Sequence, residues 1–342
     1  MKKITINTQT ANYDVVIGDY TKNISNYITN KRCIFITDTN LLKLYPQLFN
    51  NVKVIAIAPG ETNKNLDTVE HIYEQLLEKN VDRSHLVVGV GGGIVSDITG
   101  YVASTYMRGL NFGFISTSLL SQVDASVGGK NGINFNGVKN LIGTITQPGF
   151  VICDTKFLNT LPYEELLNGF AEVIKMALIS DKDFFNFLNE HNSEALKLHQ
   201  QTIEHIVETC IKHKAAIVET DEKDKGLRQI LNFGHTVGHA IEKISGSKHG
   251  FAISEGMIFD AKLSLKLHKI SNKQFSLISD IFEKYKLPVN SSVNKEDLKQ
   301  TLLFDKKRES NYINIILLSD IGKAEIVKLK IKDIKEAIDD LY

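Results

Sequence analysis

Short apolar runs dominate the first half of the chain. Six runs rich in β-branched residues predict strands, at residues 13–17, 33–37, 52–58, 86–90, 112–116 and 150–154. Residues 66–77 repeat their apolar positions at helical spacing, and residues 1–7 alternate apolar with polar side chains as a further strand would. This alternation of strands and helices predicts a mainly parallel sheet covered by helices.

The pattern changes after Pro162. Apolar residues then recur at helical spacing, and few strand candidates follow until residues 312–318. We therefore predict two domains: a Rossmann-like α/β domain over residues 1–160 and a mainly helical domain over residues 161–342.

Composition excludes several classes of partner. The chain has 40 Lys plus Arg and 40 Asp plus Glu, so no global field attracts it to nucleic acid or to an anionic membrane. No segment approaches the roughly 20 apolar residues that span a bilayer, and the N-terminus lacks the apolar region of a secretory signal. Three distant cysteines fit no disulfide framework. We expect a cytoplasmic protein whose anion sites, if any, are local.

Glycine is concentrated in one segment. Of 23 glycines, 13 lie between Gly89 and Gly149. The predicted strand at residues 86–90 runs into Gly91-Gly92-Gly93 and a helix expected to begin near Ser96, where free N–H groups would suit a phosphate. A Rossmann GxGxxG motif would need glycine at Ile94, so the segment is either a variant phosphate loop or only a tight turn.

A second glycine motif is not a P-loop. Gly128-Gly129-Lys130 has Asp124 in place of the first Walker A glycine and Asn131 in place of its Ser/Thr. The nearby Lys130, Lys139 and Asn140 are candidate ligand contacts, because loops at strand ends carry the ligands in open α/β folds.

Histidines and a carboxylate indicate a metal site. His235 and His239 are four residues apart, hence on one face of a helix, and His249 follows. A protease HExxH motif would need glutamate where Thr236 stands. Glu172 together with two of the three histidines would supply the ligands of a catalytic zinc, and spacing alone leaves open which two.

Taken together, these motifs closely resemble the 3-dehydroquinate synthase family, from about residue 13 to residue 322. The matching segments are, in chain order, Pro59-Gly60-Glu61 with Lys64; Gly91-Gly92-Gly93 with Asp97 and Gly100; Ser116-Thr117-Ser118-Leu119-Leu120 with Asp124; Gly128-Gly129-Lys130 with Lys139-Asn140; Glu172-Val173-Ile174-Lys175; Arg228 and Leu231-Asn232-Phe233-Gly234-His235 through His239; His249-Gly250; and Asp305-Lys306-Lys307. The family's fold has a nucleotide-binding α/β domain followed by a helical metal-binding domain.

The resemblance implies a role for each site residue. Glu172, His235 and His249 would be the metal ligands, and His239 would face the substrate. NAD would contact a larger set: Pro59, Gly60, Glu61, Thr62, Asn63, Lys64, Gly93, Ile94, Val95, Ser96, Asp97, Thr117, Ser118, Lys130, Lys139, Phe157, Leu158, Asn159 and Thr160. Substrate contacts would be Asp124, Lys130, Asn140, Lys175, Lys214, Arg228, Asn232 and one of Lys306 or Lys307. Arg108 would reach the substrate of a neighbouring subunit, which implies a homodimer.

The implied reaction converts 3-deoxy-D-arabino-heptulosonate 7-phosphate, a phosphorylated keto-sugar acid, to 3-dehydroquinate and phosphate in the shikimate pathway. It combines transient oxidation by NAD at C5, phosphate elimination, re-reduction and intramolecular aldol closure. Such a carbon–oxygen lyase needs NAD and one divalent metal ion, Zn²⁺ or Co²⁺.

Other reactions of related enzymes remain as alternatives. Sugar phosphate cyclases that make 2-deoxy-scyllo-inosose or an epi-valiolone share the metal, NAD and early redox steps, and polyol dehydrogenases related to glycerol dehydrogenase release NADH instead. Lys214 and Arg228 match the carboxylate side of the dehydroquinate synthase pocket and favour that family. Two residues depart from its pattern. Phe251 after His249-Gly250 alters a neighbour of an expected ligand, and Ser118, an expected NAD contact, is a conservative replacement of a threonine.

Overall fold

The computed structural model describes residues 1–302 and 311–342. It divides into two compact units: Met1–Leu161 with Lys214–Lys223, and Pro162–His213 with Asp224–Tyr342. Within the described ranges, no helix is both long enough and apolar enough to cross a membrane.

The regular elements are numbered along the chain. The strands are β1 Lys2–Asn7, β2 Asn12–Ile17, β3 Arg32–Asp38, β4 Lys53–Ile57, β5 His85–Gly91, β6 Asn111–Ser116, β7 Lys130–Phe135, β8 Val138–Ile145, β9 Phe150–Cys153, β10 Tyr312–Asp320 and β11 Lys323–Lys330. The helices are α1 Tyr20–Asn23, α2 Ser25–Ile28, α3 Thr39–Leu44, α4 Leu66–Glu78, α5 Gly93–Thr105, α6 Tyr163–Ser180, α7 Lys182–Glu190, α8 Asn192–Leu196, α9 Gln200–Thr220, α10 His235–Ser245, α11 His249–Lys266, α12 Asn272–Lys284, α13 Lys295–Thr301 and α14 Ile331–Leu341.

A seven-stranded sheet forms the core of the first unit, in the order β1-β2-β9-β6-β5-β3-β4. Only the β1–β2 pair is antiparallel. Every residue of the interior strand β5 is buried, as its unbroken apolar run requires for a strand covered on both faces. The predicted class, a mainly parallel α/β sheet followed by a largely helical part, is confirmed.

Helices dominate the second unit. Val237 and Ile241 of α10 pack in one core cluster with Phe259 of α11 and with Ile315 and Leu317 of β10. The β10–β11 hairpin closes this core with one apolar face. These contacts stabilise the first turns of α10 and α11, where two of the three candidate histidines lie.

Three hairpin strands and one helix boundary differ from the predictions. The sequence analysis missed β7 and β8 as well as β11, and it placed Lys130, Lys139 and Asn140 in loops although all three lie in strands. The missed signal for the first hairpin is Asn136-Gly137, whose positive φ values of 48° and 73° suit a tight hairpin turn. Helix α5 begins at Gly93 rather than near Ser96, because the Ser96 N–H already donates to Gly92 O.

The first turn of α7 offers a stability test that is independent of any ligand. Asp181 caps the helix by accepting from the Phe184 N–H at 2.9 Å, and its second oxygen lies 2.8 Å from Nε2 of His213. Burial alone would raise the pKa of Asp181, but these two partners outweigh burial and lower it below its ordinary value.

We expect Asp181→Ala to lower the free energy of unfolding by about 1–2 kcal/mol near neutral pH, because it removes a helix cap. The lowered pKa means that the stabilisation is complete above about pH 3.9 and is lost as the pH falls through the folded-state value. Denaturant unfolding of the wild type and of Asp181→Ala at about pH 6 and about pH 2 measures this loss of unfolding free energy, which should be smaller at the lower pH. An equal loss at both pH values would contradict it, and Asp183→Ala, in the same turn but exposed, should cost less.

Candidate active site

A buried ion pair lies in the middle of α6. Glu172 and Lys175 are one turn apart, and their side chains are only 1% and 2% exposed. The Lys175 ammonium contacts Oε2 of Glu172. Because a buried charge is costly unless it is compensated, the residues around this pair have to supply further partners.

Two imidazoles complete the cluster, and each is the first residue of its helix. Nε2 of His235, at the start of α10, lies 3.6 Å from Oε1 of Glu172, and Nε2 of His249, at the start of α11, lies 3.3 Å from the same oxygen. Gly234 allows this placement of His235, because glycine readily adopts the φ of +78° that the chain has there. The Gly234 N–H donates to Oδ2 of Asp260 at 2.7 Å.

The donor set fits a divalent metal. Both oxygens of Glu172 are buried and, within the described part of the chain, lack a hydrogen bond of ordinary geometry. Metal–ligand distances near 2.0–2.1 Å in a tetrahedral site imply ligand–ligand distances of about 3.3–3.4 Å. The two Glu172–imidazole distances, 3.3 and 3.6 Å, are close to that value. Glu172, His235 and His249 could therefore hold one ion, as their grouping also indicates.

Outer contacts orient both rings. Nδ1 of His235 lies 3.0 Å from Phe233 O, so a proton on Nδ1 leaves Nε2 as the ligand atom. Nδ1 of His249 faces Oε2 of Glu242 at 3.4 Å. The sequence analysis missed Glu242, although it lies two turns after His235 on the same face of α10.

Electrostatics make the cluster attractive to positive charge. Burial alone would raise the pKa of Glu172, but Lys175 and His249 lower it to about 2. Burial alone would lower the pKa of His249, but the carboxylates of Glu172 and Glu242 raise it to about 9. A site that stabilises an imidazolium between two carboxylates is equally suited to a metal cation.

A neighbouring grouping shares one of these histidines. Ligand atoms of His239, Glu242 and His249 also lie close enough to hold an ion, and the ring centroid of His239 is 5.1 Å from that of His235 and 5.9 Å from that of His249. All three imidazoles singled out by the sequence are thus brought together.

Asn168 positions His249 from a different helix. Its Oδ1 accepts the Gly250 N–H at 2.5 Å and so caps the first turn of α11, whose own preceding residue, Lys248, provides no side-chain cap. Lys248 instead pairs with Glu165, one turn before Asn168. The sequence analysis missed Asn168 because a cap donated by another helix leaves no local pattern.

In the first unit, the predicted nucleotide contacts other than Lys130 and Lys139 lie beyond the carboxyl ends of parallel strands. They occupy the turn Glu61–Asn63 after β4, the first residues of α5 after β5, Thr117 and Ser118 after β6, and the turn Thr155–Thr160 after β9. That edge is where open α/β sheets bind ligands. Free N–H groups in the first turn of α5 would suit a phosphate there.

Polar contacts connect several of these residues. The ammonium of Lys64 contacts Asp97 and donates to Oδ1 of Asn140 at 2.5 Å. Burial raises the pKa of Asp97, and Lys64 only partly offsets that effect. Lys214 donates to both the backbone oxygen and Oδ1 of Asp124 at 2.6 Å.

The remaining predicted residues lie in three places. Arg228 and Asn232 are at the two ends of the turn Leu227–Asn232, with Arg228 buried. Arg108 is exposed and follows Met107 in a left-handed backbone, with φ values of 67° and 50°. Lys306 and the neighbouring Asp305 and Lys307 lie outside the described residues.

Family models match most of the chain. The model described as 3-dehydroquinate synthase N-terminal matches residues 54–168, and the one described as 3-dehydroquinate synthase C-terminal matches residues 169–308. The 3-dehydroquinate synthase of Campylobacter fetus is 40% identical over 329 residues, 93% of each chain. That of Pyrococcus furiosus is 39% identical over 336 residues, 95% of this chain and 98% of the relative.

Solved structures share the fold. A 2-deoxy-scyllo-inosose synthase complexed with carbaglucose-6-phosphate, NAD⁺ and Co²⁺ gives a TM-score of 0.89 at 25% identity over 100% of both chains. A 2-epi-5-epi-valiolone synthase from Streptomyces hygroscopicus with NAD⁺ and Zn²⁺ bound gives 0.89 at 24% identity over 99% of each. A probable glycerol dehydrogenase from Sinorhizobium meliloti gives 0.68 at 13% identity, covering 96% of this chain and 95% of that one.

Metal affinity distinguishes the two ligand groupings. We expect Glu172→Gln to weaken Zn²⁺ binding by more than the roughly 10- to 100-fold loss typical of an outer-shell carboxylate, and Glu242→Gln to fall within that range. Both changes keep the side-chain shape, remove the negative charge and replace one carboxylate oxygen by an amide NH₂. Equilibrium competition with a chelator measures the affinity. A larger loss in Glu242→Gln would assign the ion to His239, Glu242 and His249 instead.

Proposed function

Because the chain belongs to the 3-dehydroquinate synthase family, we propose that it converts 3-deoxy-D-arabino-heptulosonate 7-phosphate to 3-dehydroquinate and phosphate. The observation that carries this most directly is the buried Glu172: its Oε2 contacts the Lys175 ammonium, and its Oε1 faces two imidazoles. The cyclase relatives with solved structures bind NAD⁺ together with Co²⁺ or Zn²⁺, which supports the same two cofactors here.

Each unit supplies part of the cofactor machinery. Glu172, His235 and His249 hold the divalent metal, while the turn Glu61–Asn63 and the start of α5 receive NAD. When bound, the metal supplies Lewis acidity toward a substrate oxygen, and NAD supplies a reversible hydride acceptor. The protein's own task is to bind the sugar, orient it and handle its protons.

Cationic side chains bind the two anionic groups of the substrate. Lys130, Lys214 and Arg228 are the proposed contacts to its phosphate and carboxylate, which need charge-assisted hydrogen bonds. The bond from Lys214 to Asp124 fixes the ammonium before substrate arrives. Four further side chains complete the proposed substrate contacts: Asn140, Lys175, Asn232 and one of Lys306 or Lys307.

His239 is the proposed proton carrier. It lies one helical turn after His235, is half-buried, and has its ring next to those of both histidine ligands. From there its imidazole could accept and return the proton of a hydroxyl held beside the metal ligands.

The assembly and location of the protein are also proposals. Arg108 lies in an exposed turn with a left-handed backbone, which is a costly conformation for arginine. Strained backbone of this kind is often found at functional positions. We propose that Arg108 contacts the substrate of a second subunit in a homodimer, and that the enzyme acts in the cytoplasm.

One assay separates the proposed reaction from its alternatives. With the heptulosonate phosphate and catalytic NAD⁺, we expect phosphate and dehydroquinate to form in equal amounts without net NADH. Exhaustive chelation should abolish this activity, and Zn²⁺ or Co²⁺ should restore it. Stoichiometric NADH would instead indicate a polyol dehydrogenase, and turnover only of a sugar phosphate lacking a carboxylate would indicate another cyclase.

Replacing His239 tests its role in proton transfer. We expect His239→Asn to lower kcat by about 10²- to 10⁴-fold, the usual range for general acid–base catalysis, with metal content unchanged. Steady-state kinetics and metal analysis measure the two quantities. His71→Asn, an exposed histidine on α4, is the control and should behave as wild type. A wild-type kcat in His239→Asn would rule out the proposed role.

A further inference from the structure

An asymmetric hairpin carries three of the proposed ligand contacts: Lys130, Lys139 and Asn140. In the β7–β8 pair, Ile133 is opposite Ile142 and Phe135 is opposite Val138. Between these pairs, the single residue Asn134 opposes three residues of β8, at positions 139–141. Such a bulge pushes its extra residues out of the ladder, and bulges of this kind often aim side chains at a ligand.

The side chain of Asn134 forms hydrogen bonds both to the bulge in β8 and to the turn after β4. Its Oδ1 accepts the Asn140 N–H at 3.0 Å, which holds Asn140 in a left-handed conformation with φ +49°. Its Nδ2 donates to Oε1 of Glu61 at 2.8 Å, and its backbone N–H donates to Lys64 O at 2.8 Å. The same side chain therefore ties the bulge to the turn after β4.

Further polar contacts connect the hairpin to the turn after β4. Lys64 bonds Oδ1 of Asn140 and also contacts Asp97, and Lys139 lies 3.8 Å from Oε1 of Glu61. Every residue in this network except Asn134 is a proposed NAD or substrate contact. Asn134 itself is half-buried.

We propose that Asn134 is a positioning residue that couples the NAD-binding turn at residues 61–64 to Asn140. An amide suits the position because one end must accept from a backbone N–H while the other donates to a carboxylate. Aspartate would keep the acceptor, lose the donor and place a second negative charge beside Glu61. The inference rests on the proposed function, because it assumes that these residues bind NAD and substrate.

The test compares the same amide-to-acid change at two positions of one hairpin. We expect Asn134→Asp to raise the Kd for NAD⁺ about tenfold, through the lost hydrogen bond and added repulsion, and to raise the substrate KM. The control is Asn136→Asp in the exposed turn, which should leave both constants unchanged. Calorimetry of metal-loaded protein gives the Kd without turnover, and thermal unfolding should show similar midpoints for both variants.

A compensating change tests the Asn134–Glu61 bond itself. In Asn134→Asp with Glu61→Gln, the donor and acceptor exchange places, so NAD⁺ affinity should recover relative to the sum of the two single changes. This recovery would not follow from a general loss of stability. If Asn134→Asp alone folds poorly, the NAD⁺ affinity of the double variant is compared with that of the wild type instead. The double variant lacks the repulsion between the two carboxylates, because Glu61→Gln removes one of them.

The outcomes are separable from failure of the proposed function. A wild-type Kd in Asn134→Asp, an equal loss in Asn136→Asp, or additive losses in the double variant would each overturn the role of Asn134. Absence of conversion of the heptulosonate phosphate by the wild-type enzyme would instead contradict the proposed reaction, because the Kd comparison needs only NAD⁺.

Discussion

The carboxylate of Glu172 lies inside α6, where an ionised group without compensation would cost several kcal/mol. Lys175 neutralises one oxygen from the next turn of the same helix, and the imidazoles of His235 and His249 face the other. A cation is the natural completion of such a set. The packing of α10 and α11 in the second unit brings the first residue of each helix to the same buried oxygen of Glu172.

The packing of α10 against α11 is close. A side chain at Gly256 would collide with the backbone of Gly234, so the two helices approach at a point where neither has a Cβ. The apolar faces of α10, α11 and β10 then hold the approach in place. Asn168 and Glu242 set the direction of His249 within it. The ligand geometry is thus a product of backbone packing as much as of the ligands themselves.

The zero net charge of the chain conceals individual charges that are held at defined positions. The chain balances its charges overall, yet two buried ammonium groups are each held beside a specific carboxylate: Lys64 beside Asp97 and Lys214 beside Asp124. These pairs hold cations at defined places without a global field.

The sequence by itself determined the strands of the parallel sheet, the change to helices after Pro162 and the family motifs, because apolar periodicity and short motifs are local properties of a chain. It also supplied all three imidazoles and Glu172, but not the choice among them without the family resemblance. The hairpin at residues 130–145 and Glu242 have local signals, the Asn136-Gly137 turn and helical spacing, that the sequence analysis missed. Only the tertiary structure decided that residues 214–223 pack with the first unit, that Asn134 bonds to Glu61 and that Asn168 caps Gly250. Each of these depends on contacts between residues far apart in the chain, which leave no periodic signal in either partner.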